Sequence, residues 1–207
     1  ATKAWGLNEL GILRDVPSGC AVLEGARLVK NTIRTTSEDF SNASAWNKTG
    51  SLTTPSANSL VCANATSAQY IGQVAVSPPP TTIGQGFIYG VRVRSVSGGV
   101  PAIQLAPSSL GFGTGQFANI SLTDGSVSAT GCTAVSNLVA AGTYDFAIAV
   151  TATANHATGE AFSIVLADSK AATRLAAFTG DGIKSVDILR AWSIEVTGYP
   201  SSYAPEY

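Results

Sequence analysis

Along much of the chain, apolar and polar residues alternate with a period of two. In Phe87-Ile-Tyr-Gly-Val-Arg-Val-Arg-Ser-Val96, the side chains of Phe87, Tyr89, Val91 and Val93 fall on one side, and Arg92 and Arg94 on the other. Successive side chains of an extended strand point to opposite faces, so this segment reads as a strand with one buried face. Tyr144-Asp-Phe-Ala-Ile-Ala-Val-Thr-Ala-Thr153 repeats the pattern: Tyr144, Phe146, Ile148 and Val150 point one way, Asp145, Ala147, Ala149 and Thr151 the other. Phe162, Ile164 and Leu166 make a third such face. Val186, Ile188, Trp192, Ile194 and Val196 make a fourth, with Arg190 as its misfit. Weaker strands are expected over residues 69–76, 102–106 and 117–122.

Turn chemistry separates these runs. Gly98-Gly99, Asp124-Gly125, Gly131, Ala141-Gly142, Gly159 and Asp181-Gly182 supply the backbone freedom that tight turns need. Pro78-Pro-Pro80 lacks the donors of a central strand and is expected as a stiff loop at a sheet edge. No helical periodicity persists over ten or more residues in the body; the best helical stretch, 167–177, reads as a loop or short turn. Residues 1–35 differ, with short apolar pieces broken by Gly11, Pro17, Gly19 and Gly25. They are expected to form an extended arm, with a brief helical turn around 8–13. Many short strands with regular turns indicate a sandwich or barrel. The predicted fold is all-β: a two-sheet antiparallel β-sandwich of jelly-roll type over residues 36–207, with an extended N-terminal arm over 1–35.

Composition narrows the function classes. Hydrophobic residues make up 45% of the 207 and charged residues 12%, which excludes a chain too polar to form a core. The net charge of −1 and the lack of a basic run argue against nucleic acid as partner. No apolar stretch approaches the length of a membrane span, and Ala1-Thr-Lys-Ala-Trp5 lacks the order of a secretory leader. Cys20, Cys62 and Cys132 are widely spaced and odd in number, so neither a disulfide scaffold nor a zinc site is expected. Four Asn-x-Ser/Thr sequons, at Asn42, Asn47, Asn64 and Asn119, are adequately explained by the Ser/Thr-rich composition.

Catalytic chemistry finds little to build on. The single histidine, His156, sits in an expected hairpin loop, with no G-x-S-x-G nucleophile elbow in the chain. Asp145 with Glu160, and Asp187 with Glu195 on one face of the last strand, are better read as solvated acids than as a glycosidase pair. Asp124, Asp168 and Asp181 lie in turn-like contexts of the kind in which jelly rolls often hold a structural calcium, but they form no D-x-D-x-D-G loop, so no metal ligand is assigned and no cofactor is expected. Gly111-Phe-Gly-Thr-Gly115 lacks the trailing Gly-Lys-Ser/Thr of a phosphate loop and is expected as loop. Trp46, Tyr70 and Tyr89 are the glycan-contact candidates, because flat aromatic faces stack on pyranose rings, although core packing is the commoner role. Trp5, Leu10, Leu13, Arg14 and Arg27 are the candidate docking residues of the arm.

Two segments are more specific than composition. One is Leu23-Glu-Gly-Ala-Arg-Leu-Val-Lys-Asn31 followed by Ser37-Glu-Asp-Phe-Ser-Asn-Ala-Ser-Ala-Trp-Asn-Lys-Thr-Gly50. The other is Phe178-Thr-Gly-Asp-Gly182, with Ala191-Trp-Ser-Ile-Glu195 and Tyr199-Pro-Ser-Ser-Tyr-Ala-Pro205 after it. Between them lies Ile120-Ser-Leu-Thr-Asp-Gly-Ser-Val127. Together, over residues 23–205, they resemble a jelly-roll module of tailed-phage and prophage virion proteins, one like a carbohydrate-binding module. That module opens "EGARTNLL..SEDFSNA.W.K", carries "dLtdGtv" and closes "YTGDG…WGAQLE.G.YPTSYIPT". Here Asn31-Thr-Ile-Arg stands for "TNLL", and Ser193 stands where the module has glycine.

The resemblance implies Phe40 and Trp46 as core anchors, Asp181-Gly182 as a turn and Tyr199-Pro200 as a closing corner. It also implies a non-catalytic virion protein, made in the host cytoplasm and built into the particle. The expected role is capsid decoration (cement) or head or tail fibre, docking on other virion proteins as a homo-oligomer, trimer or dimer. The alternative is a lectin-like module for host attachment through surface glycans. An enzyme is the least supported class.

Overall fold

Alternating segments of this length bury their apolar sides only if two sheets face each other, and the computed structural model has that arrangement. It describes residues 38–73, 81–157 and 161–195, with the backbone alone of 4–7 and 13–16. The first strands, β1 (Ala4–Leu7) and β2 (Leu13–Val16), pair antiparallel. The body continues with β3 (Trp46–Thr49), β4 (Ser59–Val61), β5 (Thr66–Ser67), β6 (Tyr70–Gln73), β7 (Gly86–Arg94) and β8 (Ala102–Pro107). A single helical turn, α1 (Ser109–Phe112), precedes β9 (Phe117–Ser121), β10 (Val127–Thr130), β11 (Thr133–Ala140) and β12 (Thr143–Thr151). The last elements are β13 (Phe162–Ala167), β14 (Phe178–Thr179) and β15 (Ser185–Glu195).

One sheet runs β10-β9-β8-β13-β6-β3 and the other β11-β12-β7-β15-β4; β5 and β14 form a small ribbon. The antiparallel pairs β4/β15, β6/β13, β7/β12 and β8/β9 are nested in sequence and alternate between the two sheets. That is a single long hairpin rolled upon itself, the winding of a jelly roll. The weaker strands expected at 69–76, 102–106 and 117–122 are β6, β8 and β9, residues 74–80 with the triple proline lying outside the described residues.

The predicted inner faces meet in one core. Phe87, Tyr89, Val91 and Val93 of β7 pack with Phe146, Ile148 and Val150 of β12 and with Phe162, Ile164 and Leu166 of β13. Its largest members form an aromatic chain: Phe40 to Trp46 at 4.8 Å between ring centroids, Trp46 to Phe162 at 6.1 Å, and Phe162 to Tyr89 at 4.9 Å. Tilted, edge-on and offset contacts of this kind add about 0.5–1.5 kcal/mol each beyond the area they bury.

The fourth predicted face is corrected. Val186 and Ile188 point inward, but the pairing of β15 with β7 slips by one residue between Ile188 and Arg190. A bulge of this kind reverses the phase of every residue beyond it. Ala191 therefore enters the main core opposite Val91. Trp192 and Ile194 turn to the outer face, where they join Ile88, Ala147 and Ala149 in a second, smaller apolar cluster. Arg190 is a misfit only if alternation is carried through the bulge; it lies opposite Arg92 on the outer side, its guanidinium carbon 5.5 Å from the Trp192 ring centre. Gly90 makes room for that indole, since a Cβ there would sit 2.2 Å from the ring.

Two other local expectations change. Part of the 111–115 stretch is helical: the Ser108 side chain accepts a hydrogen bond from Leu110 N, α1 follows, and Gly113 ends it at φ 69°. The turn buries Phe112 against Phe87 and Tyr89. Near the start, Leu13 opens a strand where a helical turn was expected, and residues 8–12 lie outside the described residues. The loop reading of 167–177 agrees with the structure, which has only turns there beyond the end of β13.

Candidate functional site: the outer face of the six-stranded sheet

Of the glycan-contact candidates, Trp46 and Tyr89 are core residues. Both are 0% exposed, and their rings pack on Phe40, Phe162, Phe87 and Phe112. A ring enclosed by other rings offers no face to a sugar, so these two assignments are corrected. Tyr70 is different. It is half-buried on β6, on the outer side of the six-stranded sheet.

Cross-strand register places two rows of side chains on that face. One row reads Asn119, Gln104, Val165, Tyr70 and Thr49 across β9, β8, β13, β6 and β3. The next reads Ala106, Ser163, Gly72 and Asn47. The second row is a floor of small side chains. A Cβ at Gly72 would lie 3.4 Å from Ser163 Oγ and 4.0 Å from Tyr70 Cε2, so the tyrosine ring borders this floor.

The β9 and β8 half of the face is roofed by the 168–177 loop. Asn119 Nδ2 donates to the carbonyls of Lys170 (3.1 Å) and Ala172 (2.9 Å). Gln104 Nε2 donates to Thr173 O (3.1 Å) and to Asn119 Oδ1 (2.8 Å), and Gln104 Oε1 accepts from Leu175 N (2.8 Å). Both amides are almost fully buried. This network leaves Asn119 no free amide, so its sequon is structural. The loop carries Arg174 over the sheet, where Nη2 donates to Pro107 O at 2.7 Å while Nε is buried with no acceptor. Burial pulls the guanidinium pKa down, and Tyr70 nearby pulls it back up. Sequence reasoning did not single out Arg174 or Gln104, and named Asn119 only as a sequon.

A concavity of about 710 Å³ opens elsewhere, between Gly113, Gly115, Gly131, Cys132 and the Thr133 and Thr151 side of β11 and β12. Gln116 clamps its rim, donating to Phe112 O and Thr151 O and accepting from Thr151 N. Burial raises the Cys132 thiol to about 11, so it stays protonated at neutral pH and is a poor nucleophile. Cys62 is buried separately, its thiol donating weakly to Asp181 Oδ1, while the thiol of Cys132 faces Phe117 O. Cys20 lies outside the described residues.

The remaining sequence candidates take structural places. His156 is half-buried and bridges Thr81 through backbone hydrogen bonds. Asp145 forms a bidentate pair with Arg92 opposite it (2.7 Å and 2.7 Å), and Asp187 pairs with Arg94. Glu160 lies outside the described residues. The β15 bulge separates Asp187 from Glu195: Asp187 pairs across with the outer Arg94, Glu195 with the inner Phe87, so they do not share a face as expected. Of the arm candidates, Trp5 lies on β1 and Leu13 and Arg14 on β2, while Leu10 and Arg27 lie outside the described residues.

The turn aspartates close their own loops. Asp124 Oδ1 accepts from Ser126 Oγ and N, and Asp181 Oδ1 accepts from Ile183 N and Lys184 N. Asp168 Oδ2 accepts from Thr179 N at 3.3 Å. Among the described residues, no group of three or more His, Cys, Asp or Glu converges on a metal-sized site. Hydrogen bonds hold Asp124 at a pKa of about 2, chiefly from the Ser126 hydroxyl, and Asp181 at about 2, chiefly from Lys184 N–H. A carboxylate with a depressed folded pKa stabilises fully above its unfolded value, and that contribution fades as pH falls through the folded value. Thermal melts should therefore lose stability between about pH 4 and pH 2. Asp124→Asn with Asp181→Asn should flatten that window.

The chain matches no protein-family model and no curated protein.

Proposed function

We propose that this chain is a non-catalytic structural protein of a bacteriophage virion, a capsid decoration protein or a head or tail fibre, acting by docking on other virion proteins. The observation that carries the reading is where the phage-like segments fall in the fold. Phe40 and Trp46 anchor the core at one end of the aromatic chain. Thr123-Asp-Gly-Ser126 forms the β9–β10 turn, where Gly125 takes φ 72° and a Cβ would strike the Tyr144 ring at 2.4 Å. Asp181-Gly182 forms the turn that feeds β15. Each quoted residue holds framework rather than chemistry, which is what a module reused in many virion proteins requires. Residues 1–35 then serve to tie the sandwich to a neighbouring subunit in a trimeric or dimeric assembly. Mass spectrometry of gradient-purified particles, released from cells that carry the gene, tests this. The protein should co-sediment with mature virions in fixed ratio to a capsid or tail subunit, and its absence from them would overturn the reading.

A second reading is a lectin-like module for host-surface glycans, and one observation favours it. Tyr70 borders the partly exposed small residues Ser163 and Gly72 on the outer sheet face, where a pyranose ring could pack against an aromatic side chain. The two roles are compatible in one virion protein.

A further inference from the structure

Arg174 has no carboxylate against it among the described residues, whereas Arg92, Arg94 and Lys184 each have one. It makes one hydrogen bond, from Nη2 to Pro107 O, and its buried Nε–H has no acceptor. The other Nη hydrogens are uncommitted. A guanidinium partly withdrawn from water forms stronger charge-assisted bonds to an anion than a freely hydrated one does. The side chain is also held in place, because Gln104 bonds the backbone on both sides of it, at Thr173 O and Leu175 N. Tyr70 lies close enough to act on the guanidinium, and from that ring the same face runs over Ser163 and Gly72 to Asn47 and Thr49 at the sheet edge.

We propose that this face takes an acidic saccharide, with the Arg174 guanidinium holding the anionic group and the Tyr70 ring packing against the sugar. The inference rests on the glycan reading above and adds the sign of the ligand's charge. A carboxylate, a sulfate or a phosphate on the sugar would satisfy the same donors.

Calorimetric titration of the full chain tests it, with uronic-acid, sulfated and phosphorylated oligosaccharides as probes. Each is paired with its neutral parent, obtained by carboxyl reduction, desulfation or dephosphorylation. An acidic member should bind roughly tenfold or more tightly than its neutral parent, the worth of a charge-assisted bond. Which acidic set binds identifies the anion. Arg174→Gln should bring the acidic member down to the level of its parent, and Tyr70→Ala should weaken both. Arg174→Lys keeps the charge and should retain part of the preference, which separates loss of charge from loss of the loop anchor. Equal binding of acidic and neutral members would overturn the role of Arg174 while leaving the glycan reading intact. Binding of no member would overturn both.

Discussion

Trp46→Ala is expected to cost about 3–5 kcal/mol of folding stability, the range for truncating a large aromatic in a packed core. The indole is fully enclosed, tilted on Phe40 and edge-on to Phe162, and both neighbours belong to the same core. β3 is only four residues long and is an edge strand of its sheet, so little else can collapse to fill the void. Domains are typically stable by about 5–15 kcal/mol, so the variant should unfold at a much lower urea concentration, with an unchanged denaturant slope. Trp46→Phe should lose less, since most of the ring volume remains. A loss below about 1 kcal/mol for the alanine variant would contradict the burial of this side chain.

Asn119→Leu is the second large effect, about 2–4 kcal/mol. The carbonyls of Lys170 and Ala172 would lose their amide partner, and an orphaned buried polar group costs about 1–3 kcal/mol. Gln104 Nε2 would keep Thr173 O but lose Asn119 Oδ1. Removing both polar partners at once is cheaper than removing them separately. Gln104→Leu with Asn119→Leu should therefore fall short of the sum of the singles by about 0.5–3 kcal/mol. Hydrogen exchange gives the local readout. In Asn119→Leu the amide of Leu175, which donates to Gln104 Oε1, should exchange faster, while the amides of β7 keep their protection.

Much of the architecture was written in alternation. β7 and β12 carry unbroken period-two patterns, and both form long inner strands as expected. The bulge in β15 was not legible, because one extra residue changes no composition and leaves only a misfit, Arg190, as its trace. Tyr89 held a warning in its own pattern. It shares a face with Phe87 and Val91, and a residue on an inner face is unsuited to sugar binding. Trp46 lacked such a pattern, since four residues are too few to set a phase.

Of the proposed glycan face, only Tyr70 was named in advance as a sugar contact. Gln104 and Asn119 each sit between apolar neighbours, Ile103 and Leu105, and Ala118 and Ile120. Such a pattern ordinarily means a polar side chain turned to water. Only the path of the 168–177 loop, set by tertiary packing, buries them and delivers Arg174 close to Tyr70.

The rolled hairpin also bears on how the chain comes off the ribosome. β15, the last described strand to be made, lies inside the five-stranded sheet between β7 and β4. Until residue 195 has emerged, both of those earlier strands present an open flank, and the sheet is missing an interior member. Pairings this distant in sequence form slowly, and unpaired flanks invite association with other chains. The sandwich should therefore close only after β15 has left the ribosome, however early the preceding strands emerge.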